Sequence, residues 1–210
     1  MKKFFITGTG TDIGKTYVTK CLLNQYAKNY RVIGAKPIAA GLNDIGLNDD
    51  ITELMKLQNM NLSYQQLNLY HFQQPISPHI GFMQAGLHFD VNKFIKYANE
   101  LYGNNPDYIF FEGAGGILSP VDDNLSNLDL IKMLDIPIVI VVGIKLGCLN
   151  DAMLISNILK QTKVKVRGWV ANQINPDMLG FEENIEYLKK YMDFKFLGLY
   201  KFNSTSKIEL

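Results

Sequence analysis

The stretch Phe4-Phe5-Ile6-Thr7-Gly8-Thr9-Gly10-Thr11-Asp12-Ile13-Gly14-Lys15-Thr16 decides how this chain folds. Its apolar beginning is typical of a buried strand, and Val18, Cys21, Leu22 and Tyr26 follow it at helical spacing. Between strand and helix, glycines let the backbone approach an anion closely, and the N–H groups at the helix start carry partial positive charge. The stretch therefore predicts a strand, a phosphate-binding loop and a helix.

Two side chains of this loop have chemical roles in such a pattern. Lys15 is expected to reach the β and γ phosphates of a nucleotide, and the Thr16 hydroxyl is expected to bind Mg²⁺, a hard cation that takes oxygen ligands. The Asn-Lys-x-Asp signature of guanine selection is absent from the sequence. Adenine is therefore the favoured base.

The loop is a variant of the common motif. Five residues separate Gly8 from Gly14, where the common motif has about four. Regulatory ATPases with a deviant loop carry an extra lysine about four residues before the last glycine. Gly10 occupies that place here, which argues against a regulatory ATPase.

Length and composition favour one domain covering the whole chain. The 210 residues are 47% hydrophobic, enough to bury one core. The net charge is +1, and Arg31 and Arg167 are the only arginines, so there is no basic face for a nucleic acid. We expect a single domain over residues 1–210 that does not bind nucleic acid.

Cysteine usage and hydropathy indicate where the protein resides. Cys21 and Cys148 form no Cys-x-x-Cys pair, which fits a reducing compartment. The longest apolar run, Ile136 to Ile144, is far shorter than the roughly 20 residues that span a bilayer. We expect a soluble, cytoplasmic protein without a membrane partner.

Short β-rich runs alternate along the chain with longer segments of helical spacing. This alternation predicts an α/β fold with three layers, a parallel sheet flanked by helices, of the phosphate-loop NTPase type. The predicted strands are 3–7, 31–36, 108–112, 138–143, 166–172 and 195–199. The predicted helices are 15–28, 50–57, 91–102, 126–134, 148–161 and 181–192. Residues 58–90 are less regular and are predicted to form loops and short helices over one side of the site.

Polar or glycine-rich residues follow four of the predicted strands, at the edge where such sheets bind ligands. They are Lys36, Glu112 with Gly113-Ala114-Gly115-Gly116, the run from Lys145 to Asn150, and Asn172-Gln173. Glu112 stands where phosphate-loop enzymes place a carboxylate linked to Mg²⁺. We expect Glu112 to lie near the metal.

Three features have both a structural and a functional interpretation. The position of Lys36 alone favours a surface lysine, although a second cation there would neutralise charge on a transferring phosphoryl group. The run Asn48-Asp49-Asp50 is either a helix N-cap with acids favoured by the dipole, or supplies a metal ligand through one aspartate. For Asp122, Asp123 and Asp129, a loop and the helix after it are favoured over a metal role.

Separated blocks of the sequence together resemble the dethiobiotin synthetase family, from Phe5 to about Pro176. The blocks are Thr7-Gly8-Thr9 with Thr11 to Thr16, Lys36-Pro37 with Gly41, Ser77-Pro78-His79, Glu112 to Gly116, Val141-Val142-Gly143 with Lys145-Leu146-Gly147-Cys148, and Gly168-Trp169-Val170-Ala171-Asn172.

The resemblance implies a homodimeric ligase that converts 7,8-diaminononanoate, CO₂ and ATP with Mg²⁺ into dethiobiotin, ADP and phosphate. The implied route runs through a carbamate and a carbamic-phosphoric anhydride. Because the carbamate is already a nucleophile, the protein mainly positions it and neutralises charge. The resemblance gives catalytic roles to Lys36 and Lys15, and metal positions to Thr16, Asp50 and Glu112.

The resemblance also implies two sets of binding residues. The residues implied for the nucleotide, with Asn172 holding adenine, are Asp12, Ile13, Gly14, Lys15, Thr16, Tyr17, Asp50, Glu112, Gly113, Ala114, Gly115, Asn172 and Gln173. The residues implied for the substrate are Thr11, Lys36, Ala40, Gly147, Cys148, Leu149 and Asn150. The last four are implied to reach across the dimer interface to the carboxylate tail of the substrate.

The chain departs from the family pattern at two places. Ala40 replaces a serine or threonine and lacks the hydroxyl that contacts substrate. Gly198-Leu199-Tyr200-Lys201 replaces Gly-x-Ile-Pro or Gly-x-Leu-Pro, so we expect a different far wall of the adenine pocket. A related amide-forming enzyme and a regulatory nucleotide switch remain as alternative functions.

Overall fold

A computed structural model describes residues 1–202 and 206–210. Over these residues, the strands are β1 (Lys2–Gly8), β2 (Val32–Ala35), β3 (Ile38–Ala40), β4 (Tyr70–Phe72), β5 (Tyr108–Glu112), β6 (Pro120–Asp122), β7 (Leu125–Ser126), β8 (Ile138–Ile144), β9 (Val166–Gln173) and β10 (Phe196–Tyr200). The helices are α1 (Lys15–Tyr26), α2 (Asp49–Leu57), α3 (Tyr64–Leu67), α4 (Pro78–Ala85), α5 (Val91–Gly103), α6 (Asn127–Leu134), α7 (Cys148–Lys160) and α8 (Phe181–Tyr191).

Six strands form one parallel sheet in the order β10-β9-β8-β1-β5-β2. From β1 the chain proceeds first to β2 and β5, which lie on one side of β1 in the sheet. It then changes direction and proceeds to β8, β9 and β10, which lie on the other side. In doubly wound sheets, ligands bind in the crevice outside the carboxyl ends of the strands where this direction changes. The end of β1, which is the start of the phosphate loop, lies at that point.

The sheet is buried on both faces, as expected for parallel strands covered by helices. Along β1, Phe4 and Ile6 belong to one core cluster together with Leu22 of α1, whereas Phe5 belongs to a second cluster on the opposite face. All seven residues of β8 are buried, which confirms the interpretation of this apolar run as a central strand. The predicted three-layer α/β fold is confirmed.

Every predicted strand and helix is present, with ends shifted by at most two residues. The section 58–90 contains the short helices α3 and α4, as expected, but also the strand β4, which the sequence interpretation missed. β4 pairs in parallel with β3, and each has three residues. Strands this short leave too few residues to show a period of two.

Candidate active site

The phosphate loop connects the buried end of β1 to the start of α1. Gly14 is the N-cap of α1 with φ 85°, in the left-handed region that glycine adopts without strain. A Cβ atom at position 14 would also collide with the Asn172 side chain, and one at position 8 with the Val141 carbonyl. Glycine is therefore required at position 14 by the positive φ and at position 8 by the close approach of a backbone carbonyl. Gly10 instead faces open space, with nothing within 4 Å of an added Cβ.

Lys15 lies inside the loop with its ammonium turned back toward the backbone. Its Nζ donates to the Gly10 carbonyl at 2.6 Å, and the residue is buried. Burial lowers the pKa of Lys15 to about 8, because the charged form loses hydration. A phosphate group bound in the loop would form an ion pair with this ammonium and so favour its charged form.

Glu112, at the carboxyl end of β5, accepts hydrogen bonds from two other parts of the site. Its Oε1 accepts from Thr16 Oγ1 at 2.7 Å and from Lys36 Nζ at 2.8 Å. Its other oxygen, Oε2, is buried without a hydrogen-bond partner. The carboxylate thus links the start of α1 to the residue after β2 through one oxygen, and its other oxygen has no hydrogen-bond partner.

Lys36 is buried, so the interpretation as a surface lysine is wrong. Ala35 is in register with Phe111, which places the next residues, Lys36 and Glu112, side by side at the same edge. The ammonium also pairs with Asp50. Burial lowers the pKa of Lys36, but the charges of Glu112 and Asp50 outweigh it and raise the pKa to about 12.

The N-cap interpretation of the run 48–50 is confirmed for Asn48, whereas a metal role for one of the aspartates stays a prediction. Asn48 is the N-cap of α2, and its Nδ2 donates to the carbonyls of Ala40 and Gly41 at 3.1 and 2.9 Å. Asp50 reaches Lys36, whereas Asp49 is exposed and accepts from Asn43. The geometry brings Asp50 rather than Asp49 into the cluster.

Two adjoining cavities lie at this edge of the sheet. One, of about 320 Å³, is lined by Thr11, Asp12, Gly14, Lys15, Thr16, Lys36, Asp50, Glu112, Gly113 and Gly115. The other, of about 200 Å³, is lined by Asp12, Gly14, Tyr17, Asn172, Gln173, Ile174 and Phe202. A larger cavity of about 430 Å³ lies at the opposite edge, beside the start of β9, and shares no residue with the phosphate loop.

Several residues named from the sequence lie outside the two cavities. Ile13 is buried in the core, although its carbonyl accepts from Asn172 Nδ2 at 2.9 Å. The Ala114 carbonyl accepts from Asn127, and Ala40 is partly buried at the end of β3. The Cys148 side chain is in the core, which leaves only its backbone for a ligand.

The rest of the implied tail-binding segment lies at the start of α7, beyond the cavity linings. Gly147 is the N-cap of α7 with φ 92° and is exposed, as is Asn150, while Leu149 is partly buried. Their roles in substrate binding stay predictions.

Two of the three acids in the run from Asp122 to Asp129 have structural roles. Asp122 accepts from the Phe89 N–H, and Asp129 completes a capping box with Ser126.

Sequence reasoning missed three residues of the site. Asn68 is buried and donates to the Lys36 carbonyl at 2.8 Å, which fixes the backbone of that lysine. Ile174 and Phe202 line the second cavity. Asn68 belongs to no motif, and the departure from the family pattern after Gly198 was the one signal that pointed toward Phe202.

The oxygen donors at this edge fit a divalent cation. The Thr16 hydroxyl and the carboxylates of Asp50 and Glu112 lie around one cavity, and Glu112 Oε2 is a buried acceptor without a partner. Hydroxyl and carboxylate oxygens are ligands that Mg²⁺ prefers, and this ion usually keeps waters and phosphate oxygens in its shell.

In residues 1–202 and 206–210, no helix is long and apolar enough to cross a membrane.

Solved structures of similar fold include a cell division protein complex and a ParA family ATPase. A chain of the MinC:MinD cell division protein complex from Aquifex aeolicus aligns with a TM-score of 0.57 and 14% identity, covering 96% of this chain and 81% of that one. A ParA family ATPase from Chlorobium tepidum aligns with a TM-score of 0.57 and 12% identity, covering 96% and 84%. At this identity, the likeness concerns the fold alone, and it confirms the phosphate-loop NTPase type.

Sequence comparisons identify much nearer relatives. A family model described as an AAA domain matches residues 2–205. The ATP-dependent dethiobiotin synthetase BioD of Legionella pneumophila strain Paris is 38% identical over 202 residues, covering 94% of this chain and 92% of the relative. The enzyme of the same name from Pseudoalteromonas translucida is 35% identical over 215 residues, covering 100% and 95%. The chain therefore belongs to the ATP-dependent dethiobiotin synthetase family.

Proposed function

We propose that this chain is an ATP-dependent ligase that closes the ureido ring of dethiobiotin from 7,8-diaminononanoate and CO₂, a step of biotin synthesis. The observation that carries the proposal is the group of Lys15, Thr16, Lys36, Asp50 and Glu112 around one cavity beside the phosphate loop. Relatives at 35–38% identity carry the name of this activity.

The nucleotide is proposed to bind with its phosphates at the start of α1. The N–H groups there and the Lys15 ammonium are donors for the β and γ phosphates. Asn172 lies directly behind Gly14, and its Nδ2 is held by the Ile13 carbonyl. Its amide oxygen is the proposed acceptor for the amino group of adenine.

A Mg²⁺ ion is proposed to be held by Thr16, Asp50 and Glu112. When bound, it supplies positive charge to the phosphate oxygens and so favours transfer of the terminal phosphoryl group. Lys36 forms ion pairs with the two carboxylates of this set, Asp50 and Glu112. Displacing Lys36 from them would leave its ammonium available to the substrate.

The proposed chemistry needs positioned charge and no covalent side chain. One amine of the diamine adds to CO₂ and loses a proton to give a carbamate. A carbamate oxygen attacks the γ phosphorus, ADP leaves, and a carbamic-phosphoric anhydride forms. The second amine then attacks the carbonyl carbon, and phosphate leaves as the ring closes. Lys36 and Lys15 neutralise the charge that develops on the phosphoryl oxygens.

The substrate is proposed to lie against Thr11 and Lys36, with its carboxylate tail directed to Gly147, Leu149 and Asn150 of a second subunit. Thr11 lines the phosphate cavity, which supports its place near the reacting end. At Ala40, this chain lacks a hydroxyl that its family uses. The dimer is therefore a proposed part of the site.

The test is ADP release measured with the diamine and bicarbonate together and with each omitted in turn. We expect release to depend on both, because the phosphoryl acceptor exists only when amine and CO₂ have combined. ADP release that is unaffected by the diamine would contradict the proposal and favour a regulatory ATPase.

A further inference from the structure

The backbone of Lys36 is held by a segment that lies outside the six-stranded sheet. β2 is an edge strand of that sheet and ends at Ala35. The next residue, Lys36, donates its N–H to the Leu67 carbonyl at 2.9 Å, and its own carbonyl accepts from Asn68 Nδ2 at 2.8 Å. Both hydrogen-bonding groups of the Lys36 backbone are therefore satisfied by two consecutive residues of one segment.

The Asn68 side chain is buried, and its amide has a fixed orientation. Besides the Lys36 carbonyl, its Nδ2 donates to the Tyr70 carbonyl at 2.9 Å, and its Oδ1 lies 3.0 Å from His71 Nδ1. An amide nitrogen carries two hydrogens, and each of them has an acceptor here. Because those acceptors are carbonyl oxygens, only a donor fits at this end of the side chain.

Residues 67–70, here called the clamp, also have hydrogen bonds that do not involve Lys36. On one side the clamp is bound to α5, where the Tyr97 hydroxyl donates to the Leu67 carbonyl at 2.7 Å. On the other side, two of its backbone N–H groups donate to the Pro37 carbonyl at 3.0 and 2.9 Å. The residue after Lys36 is therefore held by the same segment.

The Lys36 side chain extends from this held backbone to two carboxylates. Its Nζ donates to Glu112 Oε1 at 2.8 Å and also pairs with Asp50. The stem of a lysine is flexible, so the position of the ammonium depends on where the backbone holds the start of the side chain. A displacement of about 1 Å in an active site can lower a rate by about a hundredfold.

We propose that Asn68 is a positioning residue whose side-chain amide holds the Lys36 backbone, so that the Lys36 ammonium lies in the phosphate cavity. The inference rests on the proposed function, in which Lys36 neutralises charge on the transferring phosphoryl group. Asn68 itself lines neither cavity of the site. It should therefore act on turnover through Lys36 and leave ATP binding unchanged.

The activity test compares Asn68→Ala with the parent in steady-state ADP release. We expect kcat to fall by about tenfold to a hundredfold, because the ammonium is displaced from the phosphoryl group. The KM for ATP should stay within about twofold, since the phosphate loop is untouched.

The matched control for this variant is Asn59→Ala. The Asn59 amide likewise donates to two carbonyls, those of Ala27 and Tyr30, and its Oδ1 accepts from the Val32 N–H. These bonds lie at the start of β2, whereas Asn68 acts beyond its end. Asn59→Ala should change neither kcat nor the KM for ATP. A kcat of Asn68→Ala within about twofold of this control would overturn the proposal.

A double variant separates positioning from a general structural role. In the Lys36→Ala background no ammonium is left to position, so Asn68→Ala should lower kcat by less than about twofold further. An equal fold-loss in both backgrounds would show that Asn68 acts on the structure in general, and would overturn the proposal. Asn68→Ser, a smaller change that keeps a hydroxyl, replaces Asn68→Ala throughout if that variant does not fold.

Hydrogen exchange tests the hold on Lys36 without the use of activity. The Lys36 amide should exchange about tenfold faster in Asn68→Ala, relative to the amide of Phe110, a buried residue of β5 that reports global unfolding. Asn59→Ala should leave this ratio unchanged, and an unchanged ratio in Asn68→Ala would overturn the proposal. If the parent shows no diamine-dependent ADP release, the proposed function fails, and the exchange ratio still decides whether Asn68 holds Lys36.

Discussion

Glu112 is a buried carboxylate that forms an ion pair with Lys36 and accepts a hydrogen bond from Thr16. A carboxylate buried alone carries a large desolvation penalty, and the bonds from Lys36 and Thr16 offset it. Lys36 is 76 residues away in sequence. Its position in the chain therefore did not indicate that it would be buried beside an acid.

At the residue scale, Lys36→Ala should affect both activity and stability. We expect diamine-dependent ADP release to fall by about a hundredfold or more, because a positioned cation for the phosphoryl group is lost. The unfolding free energy should fall by about 3–5 kcal/mol, since Glu112 stays buried without its ammonium. Steady-state assays and urea unfolding measure the two effects.

A matched control for that variant is Lys165→Ala. Lys165 forms an exposed ion pair with Asp135, away from both cavities of the site. Turnover should be unchanged, and the unfolding free energy should change by about 1 kcal/mol or less. Near-normal turnover of Lys36→Ala would contradict the proposed catalytic role of Lys36.

Lys15 should make nucleotide binding depend on pH. Burial lowers its pKa to about 8, so in the free protein it loses its proton as pH rises above that value. Bound phosphates favour the charged form and raise the pKa again. Binding should therefore take up a proton above about pH 8, and affinity should fall by up to about tenfold per pH unit.

Calorimetry of ATP binding in two buffers of different ionisation heat measures this proton uptake. Lys15→Arg is the control, because its guanidinium stays charged over the whole range. The variant should lose the pH dependence even if its affinity is lower. Binding by the parent without proton uptake at about pH 9 would contradict the prediction.

At the scale of elements, the start of α2 determines where Asp50 lies. Asn48 accepts from the Ile51 N–H and donates to two carbonyls at the end of β3. The Tyr64 hydroxyl also accepts from the Asn48 N–H at 2.9 Å. One side chain thus caps the helix and ties it to the strand that follows Lys36.

Asn48→Ala should therefore weaken both the fold and the site. Loss of the cap and of two partly buried hydrogen bonds is expected to lower the unfolding free energy by about 2 kcal/mol. Asp50 should be held less well, so the concentration of Mg²⁺ needed for half-maximal ADP release should rise. Asp49→Asn, on the exposed side of the same turn, should change neither quantity. An unaltered Mg²⁺ requirement in Asn48→Ala would show that the cap does not position Asp50.

Elements were predictable where the pattern is local and long. The seven residues of β8 form a continuous apolar run, and the thirteen residues of α7 show helical spacing. β3 and β4 have three residues each, and their pairing of Ala39 with His71 depends on contacts between distant parts of the chain. No local period reveals such a pair.

For the whole molecule, the proposed dimer has a direct test. If Asn150 serves the site of a partner subunit, mixing Lys36→Ala with Asn150→Ala subunits should restore activity that neither variant has alone. After random reassortment, about half of the dimers are mixed and one of their two sites is intact, which gives about a quarter of parent activity. Activity that stays at the level of the separate variants would place both residues in one subunit's site.

The sequence by itself determined the phosphate loop and the α/β class, because each depends on residues adjacent in the chain. Gly8 to Thr16 are consecutive residues that run from the end of β1 through the loop into the first turn of α1, and the alternation of strands and helices is a local property. Only the tertiary structure decided which side chains meet that loop. Thr16 and Glu112 are 96 residues apart, and Asn172 and Ile13 are 159 apart. They meet because β1 lies between β5 and β8, an order set by the packing of both sheet faces and not by spacing along the chain.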